Sequence, residues 1–266
     1  MNSNKNYGYC NLCEAKVTLS HRASNGRVYL IKHCPECGET QTLISSDSGQ
    51  YYRKQRFDTD PSSNGCSLEC TQCHHHGPHH IILVEVTNSC NQICPICISS
   101  VPKTGFVFEP PLDYFQDLFE RVSKKEPRPH ISLFGGEPTM RDDLVDIIRL
   151  GNRYGLNVSI STNGIRLADE DYCRELLSTG VKIMFQFDGT QPETYRLLRG
   201  DTSVLAKKLK ALENIRKYAR AKIDIFYTIG KGINDDHVAE LVQFCHERRD
   251  LISGVYFRII SSRVRD

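Results

Sequence analysis

Residues 81–100 read IILVEVTNSCNQICPICISS. An apolar run of strand composition, Ile81–Val86, leads directly into Cys90, Cys94 and Cys97, spaced C-x3-C-x2-C. Runs of this length and β-branched content read as buried strands. A ligand-rich loop at the end of such a strand makes a fold prediction: the same order of apolar run, polar loop and amphipathic segment should recur downstream.

It does recur. Further apolar runs occupy His130–Phe134, Asn157–Ser161, Lys182–Phe187, Ile223–Thr228 and Gly254–Ile260. Helix-like segments Leu112–Lys124, Arg141–Tyr154, Asp169–Ser178, Ser203–Ala219 and Asp235–Arg248 lie between them. In the fourth of these, Leu205, Leu209, Leu212, Ile215 and Ala219 follow three- and four-residue steps and share one face. Lys207, Lys208, Lys210 and Lys217 are read as the solvated side of that helix. Repeating strand–helix units imply an α/β fold with a parallel sheet, and six such units with right-handed crossovers make a partial (β/α)6 TIM-like barrel over residues 80–266. Ligands of such folds sit beyond the C-terminal ends of the strands.

Composition sets the class. The chain has 266 residues and a formal net charge of +2, too close to neutrality to imply a nucleic-acid partner. No stretch has the apolar length of a membrane span, and the polar start MNSNKNYGYCN lacks the core of a secretory signal. A soluble, cytoplasmic protein is expected. Ten of the twelve cysteines fall in the first hundred residues, in tight clusters that suit metal ligation better than disulfides.

Those clusters define two segments before the barrel. Residues 1–55 carry Cys10-Asn-Leu-Cys13 and Cys34-Pro-Glu-Cys37 around a strand-like run, Arg27–Ile31. Four thiolates on two knuckles predict a tetrahedral S4 site for zinc or a single iron, in a small rubredoxin-like or zinc-ribbon-like module. Residues 56–79 form a polar linker in which Cys66, Cys70 and Cys73 repeat the C-x3-C-x2-C spacing. An auxiliary [4Fe–4S] cluster is the reading of that set. His74, His75, His76, His79 and His80 crowd it and are candidates for a fourth ligand. Cys173 and Cys245 fall on helices and read as ordinary buried residues.

Three thiolates on the loop after the first barrel strand suit three irons of a cubane cluster, leaving the fourth iron without a ligand from the motif. The spacing and its strand context resemble the radical SAM superfamily. The resemblance implies that S-adenosylmethionine (SAM) chelates the open iron. It also implies reductive cleavage to a 5′-deoxyadenosyl radical, which abstracts hydrogen from an inert C–H bond. The electron would come from an external donor of ferredoxin or flavodoxin type. Cys90, Cys94 and Cys97 are then the catalytic set. Gly135, Gly136, Glu137 and Pro138 match the glycine-rich turn that meets the SAM amino group, with Glu137 offering its charge to that ammonium. Ser161 and Asn163, in STNG, and Gln186 and Asp188, in QFDG, end the next two strands and are further candidates for SAM contacts.

The whole layout, an S4 module, then GCSLECTQC, then VTNSCNQICPIC, resembles the archaeal tetraether lipid synthases and their relatives, some of them described as pterin methyltransferases. Many relatives carry Cys-Pro-Glu-His where this sequence has Cys34-Pro-Glu-Cys37. They also continue past the sixth strand, whereas this sequence stops at Arg265-Asp266, so a barrel short at its C-terminal end is expected. The reactions implied are carbon–carbon bond formation on a lipid chain, or methylation. A peptide-modifying maturase is the alternative enzyme, and a non-catalytic iron–sulfur carrier or scaffold is the alternative from another class.

Overall fold

The computed structural model describes residues 6–55, 80–97 and 105–260. The chain divides into two compact units, one within residues 1–77 and one within 78–266. Cys66, Cys70, Cys73, His74, His75, His76 and His79 lie outside the described residues.

The first unit is a four-stranded antiparallel sheet of β1 (Asn6–Tyr9), β2 (Lys16–Ser24), β3 (Arg27–Cys34) and β4 (Gly38–Ser45), paired in chain order. A short helix, α1 (Ser48–Gln55), follows. Asn25 and Gly26, both at positive φ, turn β2 back onto β3, the backbone a two-residue hairpin demands. Sequence reading found one strand here where four exist, because β2 and β4 are largely exposed and lack an apolar run.

The second unit is a six-stranded, all-parallel sheet whose spatial order equals its chain order. Its strands are β5 (Ile81–Thr87), β6 (His130–Gly135), β7 (Val158–Thr162), β8 (Lys182–Gln186), β9 (Ile223–Ile229) and β10 (Ile252–Ile259). Helices α2 (Leu112–Ser123), α3 (Leu144–Arg153), α4 (Glu170–Ser178), α5 (Pro192–Arg199), α6 (Val204–Tyr218) and α7 (Val238–Glu247) make the crossovers. This is the partial (β/α)6 barrel.

Alternation along the strands explains the layering. Ile131 and Leu133, Val158 and Ile160, Ile183 and Phe185, and Ile223 and Ile225 are buried and share one core with the helices. The intervening residues, among them Phe134, Ser161, Met184, Gln186 and Phe226, are half-buried on the other face. Helix α5 escaped the sequence reading although its limits were marked by Pro192 in the first turn and Gly200, in the left-handed conformation, just after the end. That pairing is the usual asymmetry of helix termini.

Helix α6 differs in a way that matters for the site. Its buried stripe is Val204, Leu205, Lys208, Ala211, Leu212 and Ile215, whereas Leu209 is exposed. Lys208 is therefore not on the solvated side, as its charge suggested; it is fully buried.

Phe187, just past β8, stacks on Phe244 of α7 at 5.0 Å and meets Tyr195 of α5 edge-on at 6.4 Å. It joins the fourth strand to two helices that follow it. Phe187→Ala should lower the unfolding free energy by about 3–5 kcal/mol, read by urea denaturation. A loss below about 1 kcal/mol would mean that this part of the core collapses around the gap.

Candidate functional site

The cysteine loop leaves β5 at Thr87, and hydrogen bonds hold its backbone in place. The Ser89 amide donates to Thr87 Oγ1 at 2.9 Å. The Gly136 amide donates to the Thr87 carbonyl and the Glu137 amide to the Ser89 carbonyl, both at 2.8 Å. The Cys97 amide closes a turn onto the Cys94 carbonyl at 3.1 Å. These contacts explain the two glycines. A Cβ on Gly135, whose φ is +149°, would lie 2.0 Å from the Thr87 carbonyl oxygen, and one on Gly136 would lie 2.2 Å from that of Ser89. Only glycine allows the end of β6 this close to the loop. The close approach that these glycines make is to the cysteine loop itself.

Glu137 is buried and its carboxylate is filled from within the chain. Oε1 accepts from the Thr139 amide at 3.1 Å, from Thr139 Oγ1 at 2.7 Å and from Thr162 Oγ1 at 2.7 Å. Oε2 accepts from the Asn163 amide at 2.6 Å. Glu137 thus braces the strand ends and the cysteine loop from within the chain. Pro138 is buried in the first turn of the short 3-10 segment Pro138–Met140, which Glu137 caps. Asn163 is equally committed: its side-chain amide donates to Asn91 Oδ1 at 2.7 Å and its Oδ1 accepts from the Ile165 amide at 3.0 Å. Ser161 is half-buried, and its hydroxyl has no partner among the described residues.

The fourth strand brings charge. Asp188 is buried and receives Arg199 twice, Nε to Oδ2 at 2.7 Å and a terminal nitrogen to Oδ1 at 3.1 Å. It also accepts from Gln186 Nε2 at 2.5 Å and from the Thr228 amide at 3.1 Å. Arg199 then reaches Thr228 Oγ1 at 3.0 Å, and its charge favours the thiolate at Cys94. Burial disfavours its charge, but Asp188 and Cys94 outweigh that and hold its pKa above the ordinary value. Lys208 donates to the Asn163 carbonyl, to the Gln186 carbonyl at 2.9 Å and to Gln186 Oε1 at 2.7 Å. Burial pushes its pKa down to about 7.

The thiols respond to the same surroundings. Burial pushes Cys90 up to about 11; the Gln92 amide opposes this, while Glu137, Cys94 and Cys97 add to it. Burial also raises Cys94, against the lowering effect of Arg199. The three thiols are thus electrostatic neighbours, and the charges of Arg199 and Lys208 both favour the thiolate at Cys94.

In the first unit, the ligand atoms of Cys10, Cys13, Cys34 and Cys37 all lie within 4.8 Å of one another. Cys13 Sγ and Cys34 Sγ are 3.6 Å apart. The knuckle amides of Leu12 and Cys37 donate to Cys10 Sγ and Cys34 Sγ, each at 3.4 Å. Backbone amides of Cys13 and Leu12 lower Cys10 to about 6, whereas Cys13 and burial raise Cys37 to about 12. Four thiols this close form an S4 metal site.

The Radical SAM superfamily model matches residues 84–245. This chain belongs to the radical SAM superfamily. A second model, the HMPTM N-terminal zinc ribbon domain, matches residues 5–46. The chain is 30% identical over 269 residues to 7,8-dihydro-6-hydroxymethylpterin dimethyltransferase of Methanocaldococcus jannaschii, covering 97% of this chain and 53% of the relative. It is 29% identical over 186 residues to GTP 3′,8-cyclase of Nautilia profundicola, covering 67% of this chain and 55% of the relative. The chain thus spans about half the length of these curated relatives. In fold it is similar to Streptococcus suis SuiB bound to S-adenosylmethionine, with a TM-score of 0.58 at 12% identity, over 92% of this chain and 62% of that one.

The loop fits the [4Fe–4S] cluster of a radical SAM enzyme on its own chemistry. It offers three neighbouring thiols, a cation at Cys94, and a buried Gln92 whose Nε2 has no partner among the described residues. Sequence reading missed Arg199 and Lys208. Arg199 was signalled by the Pro–Gly limits of α5, and Lys208 by its place three residues after Leu205 and four before Leu212.

Gly136→Ala should displace the loop from Glu137 and lower the iron bound after anaerobic reconstitution. Helix content by circular dichroism should stay near that of the parent, because the barrel core does not include this turn. Full iron content in the variant would show that the loop does not need this approach.

Proposed function

We propose that Cys90, Cys94 and Cys97 hold a [4Fe–4S] cluster and that this chain carries the SAM-cleaving part of a radical enzyme. Such a cluster supplies the electron for reductive cleavage of SAM, whose 5′-deoxyadenosyl fragment takes hydrogen from an unactivated carbon. The observation that carries the reading is the interlock of the cysteine loop with the ends of the next three strands, through Glu137, Asn163 and the Asp188–Arg199 pair. Those residues set the loop. Arg199 offsets thiolate charge at Cys94, and the Ser161 hydroxyl, without a partner among the described residues, is a donor for the polar end of SAM. Gly135, Gly136 and Pro138 shape the turn beside it; Gln186 and Asp188 hold the cations.

The name of the M. jannaschii relative supports methylation of a heterocyclic substrate ahead of coupling between lipid chains. Zinc is the metal we assign to Cys10, Cys13, Cys34 and Cys37, in keeping with the name of the matching module. Cys66, Cys70 and Cys73 repeat the spacing of the cluster loop and are assigned an auxiliary [4Fe–4S] cluster. An external ferredoxin- or flavodoxin-type protein is the electron donor in this scheme.

Anaerobic reconstitution followed by dithionite reduction with SAM tests the reading. The parent should release 5′-deoxyadenosine, and Cys94→Ala should release none while keeping its circular dichroism spectrum. Cys70→Ala should lose about four irons per chain, as one cubane requires, and still cleave SAM. Undiminished cleavage by Cys94→Ala would remove the central assignment; undiminished iron in Cys70→Ala would remove the auxiliary one.

Metal analysis of the same preparations covers the S4 site. Cys34→Ser should lose one equivalent of zinc, and amides in residues 6–45 should lose protection from hydrogen exchange, since closed thiolate sites contribute folding energy. Retained protection after complete metal loss would show that the small sheet stands without its metal.

A further inference from the structure

We propose that Lys208 is a positioning residue for the SAM site, holding from the helix side the Asn163 carbonyl and the Gln186 amide that end two adjacent strands. The inference rests on the SAM reading above. No side chain of α6 other than Lys208 puts a charge inside the core: its neighbours on the buried stripe are Leu205, Ala211, Leu212 and Ile215, apart from Asn214. An apolar residue would fill that place without the cost of burying an ammonium, and replacing buried charges by packed apolar groups is often neutral or stabilising. Packing therefore does not account for a lysine here.

Its bonds do. An ammonium has three donors, and Lys208 spends them on the Asn163 carbonyl, the Gln186 carbonyl and Gln186 Oε1. The third bond decides the orientation of the Gln186 amide. With Oε1 on the ammonium, Nε2 faces Asp188 Oδ2 at 2.5 Å; the flipped amide would set oxygen against carboxylate and nitrogen against ammonium. Asp188 in turn holds Arg199 through two bonds, and the Arg199 charge favours the thiolate at Cys94. A second thread starts from the same ammonium. It fixes the Asn163 carbonyl while the Asn163 amide binds Glu137 and the Asn163 side chain binds Asn91, the residue after Cys90. Two threads of hydrogen bonds thus start from Lys208, one reaching Asn91 beside Cys90 and one reaching Arg199, whose charge acts on Cys94. Ser161, two residues before Asn163, has a hydroxyl with no partner among the described residues.

The test compares SAM binding by the reconstituted parent, Lys208→Met, and Lys207→Met as an exposed control on the same helix. Titration calorimetry on the oxidised protein gives Kd. The electron paramagnetic resonance spectrum of the reduced protein, with SAM added stepwise, gives an independent reading of the same contact. Lys208→Met should weaken SAM binding by about tenfold or more, the size of a lost charge-assisted bond. More SAM should be needed to change its spectrum, while iron content and melting temperature match or exceed the parent's. Lys207→Met should behave as the parent. A merely structural lysine would lower the melting temperature and leave Kd alone. If Lys208→Met does not fold, Lys208→Gln, which retains one amide donor, is held to the same standard. Binding within about twofold of the parent in a folded Lys208 variant overturns the proposal. Failure of the fully loaded parent to bind SAM would instead overturn the functional reading, and this inference with it.

Discussion

The second unit turns on one buried carboxylate. Glu137 accepts four hydrogen bonds from Thr139, Thr162 and Asn163, while its own amide donates to Ser89. The ends of β5, β6 and β7 are joined at this residue. A buried carboxylate without partners costs several kcal/mol, so the three segments can meet only when every donor is in place. The constraint acts in both directions. The donors are fixed by the carboxylate, and the carboxylate can be buried only because Gly135 and Gly136 let the β6 end approach the loop to within the reach of a backbone hydrogen bond. Removing the acid would leave three strand ends without a common anchor, whatever the state of the core beneath them.

The two metal-binding regions solve different problems with the same side chain. In the small sheet, two knuckles at the same end bring four thiols within 4.8 Å, so the ligand set is closed and the metal can act as the core that so thin a module lacks. In the barrel unit, the loop supplies three thiols and no fourth. Neighbouring groups there are chosen for charge: Arg199 and Lys208 offset negative charge at Cys94, and the Gln92 amide offsets it at Cys90. A closed site is built for retention. An open one must stay shaped with a position free, and that shape has to come from the surrounding hydrogen bonds.

Much of this was legible before any coordinates. All six barrel strands and five of the six barrel helices follow from apolar periodicity, because each buries a face in one core. The cysteine loop and the polar strand ends were found for the same reason: parallel strands deliver their following loops to one end. What was not legible was commitment. Sequence spacing shows that Glu137 and Asn163 are near the site, but not that their oxygens and nitrogens are already occupied by the chain. Helix α5 was lost because its polar composition hides a short helix, and with it went Arg199. Lys208 was misplaced because charge was given more weight than periodicity, although position 208 lies on the stripe that Leu205 and Leu212 define.

The misplaced lysine shows how a site and a core can be one structure. The helix face buried in the core is also the face that reaches the strand ends, since Lys208 on it bonds Asn163 and Gln186 and α6 packs on the segment Ile165–Ala168 that follows Asn163. Asn214, one and a half turns further along, repeats the device: its side chain donates to the Leu167 and Ala168 carbonyls at 2.9 and 3.0 Å. Two polar residues on an otherwise apolar stripe therefore satisfy carbonyls of one connection between β7 and α4. A connection that must present a strand end to a ligand cannot spend its carbonyls on regular secondary structure, and buried carbonyls left unpaired are costly. Donors lent by the neighbouring helix resolve that conflict, at the Asn163, Leu167 and Ala168 carbonyls.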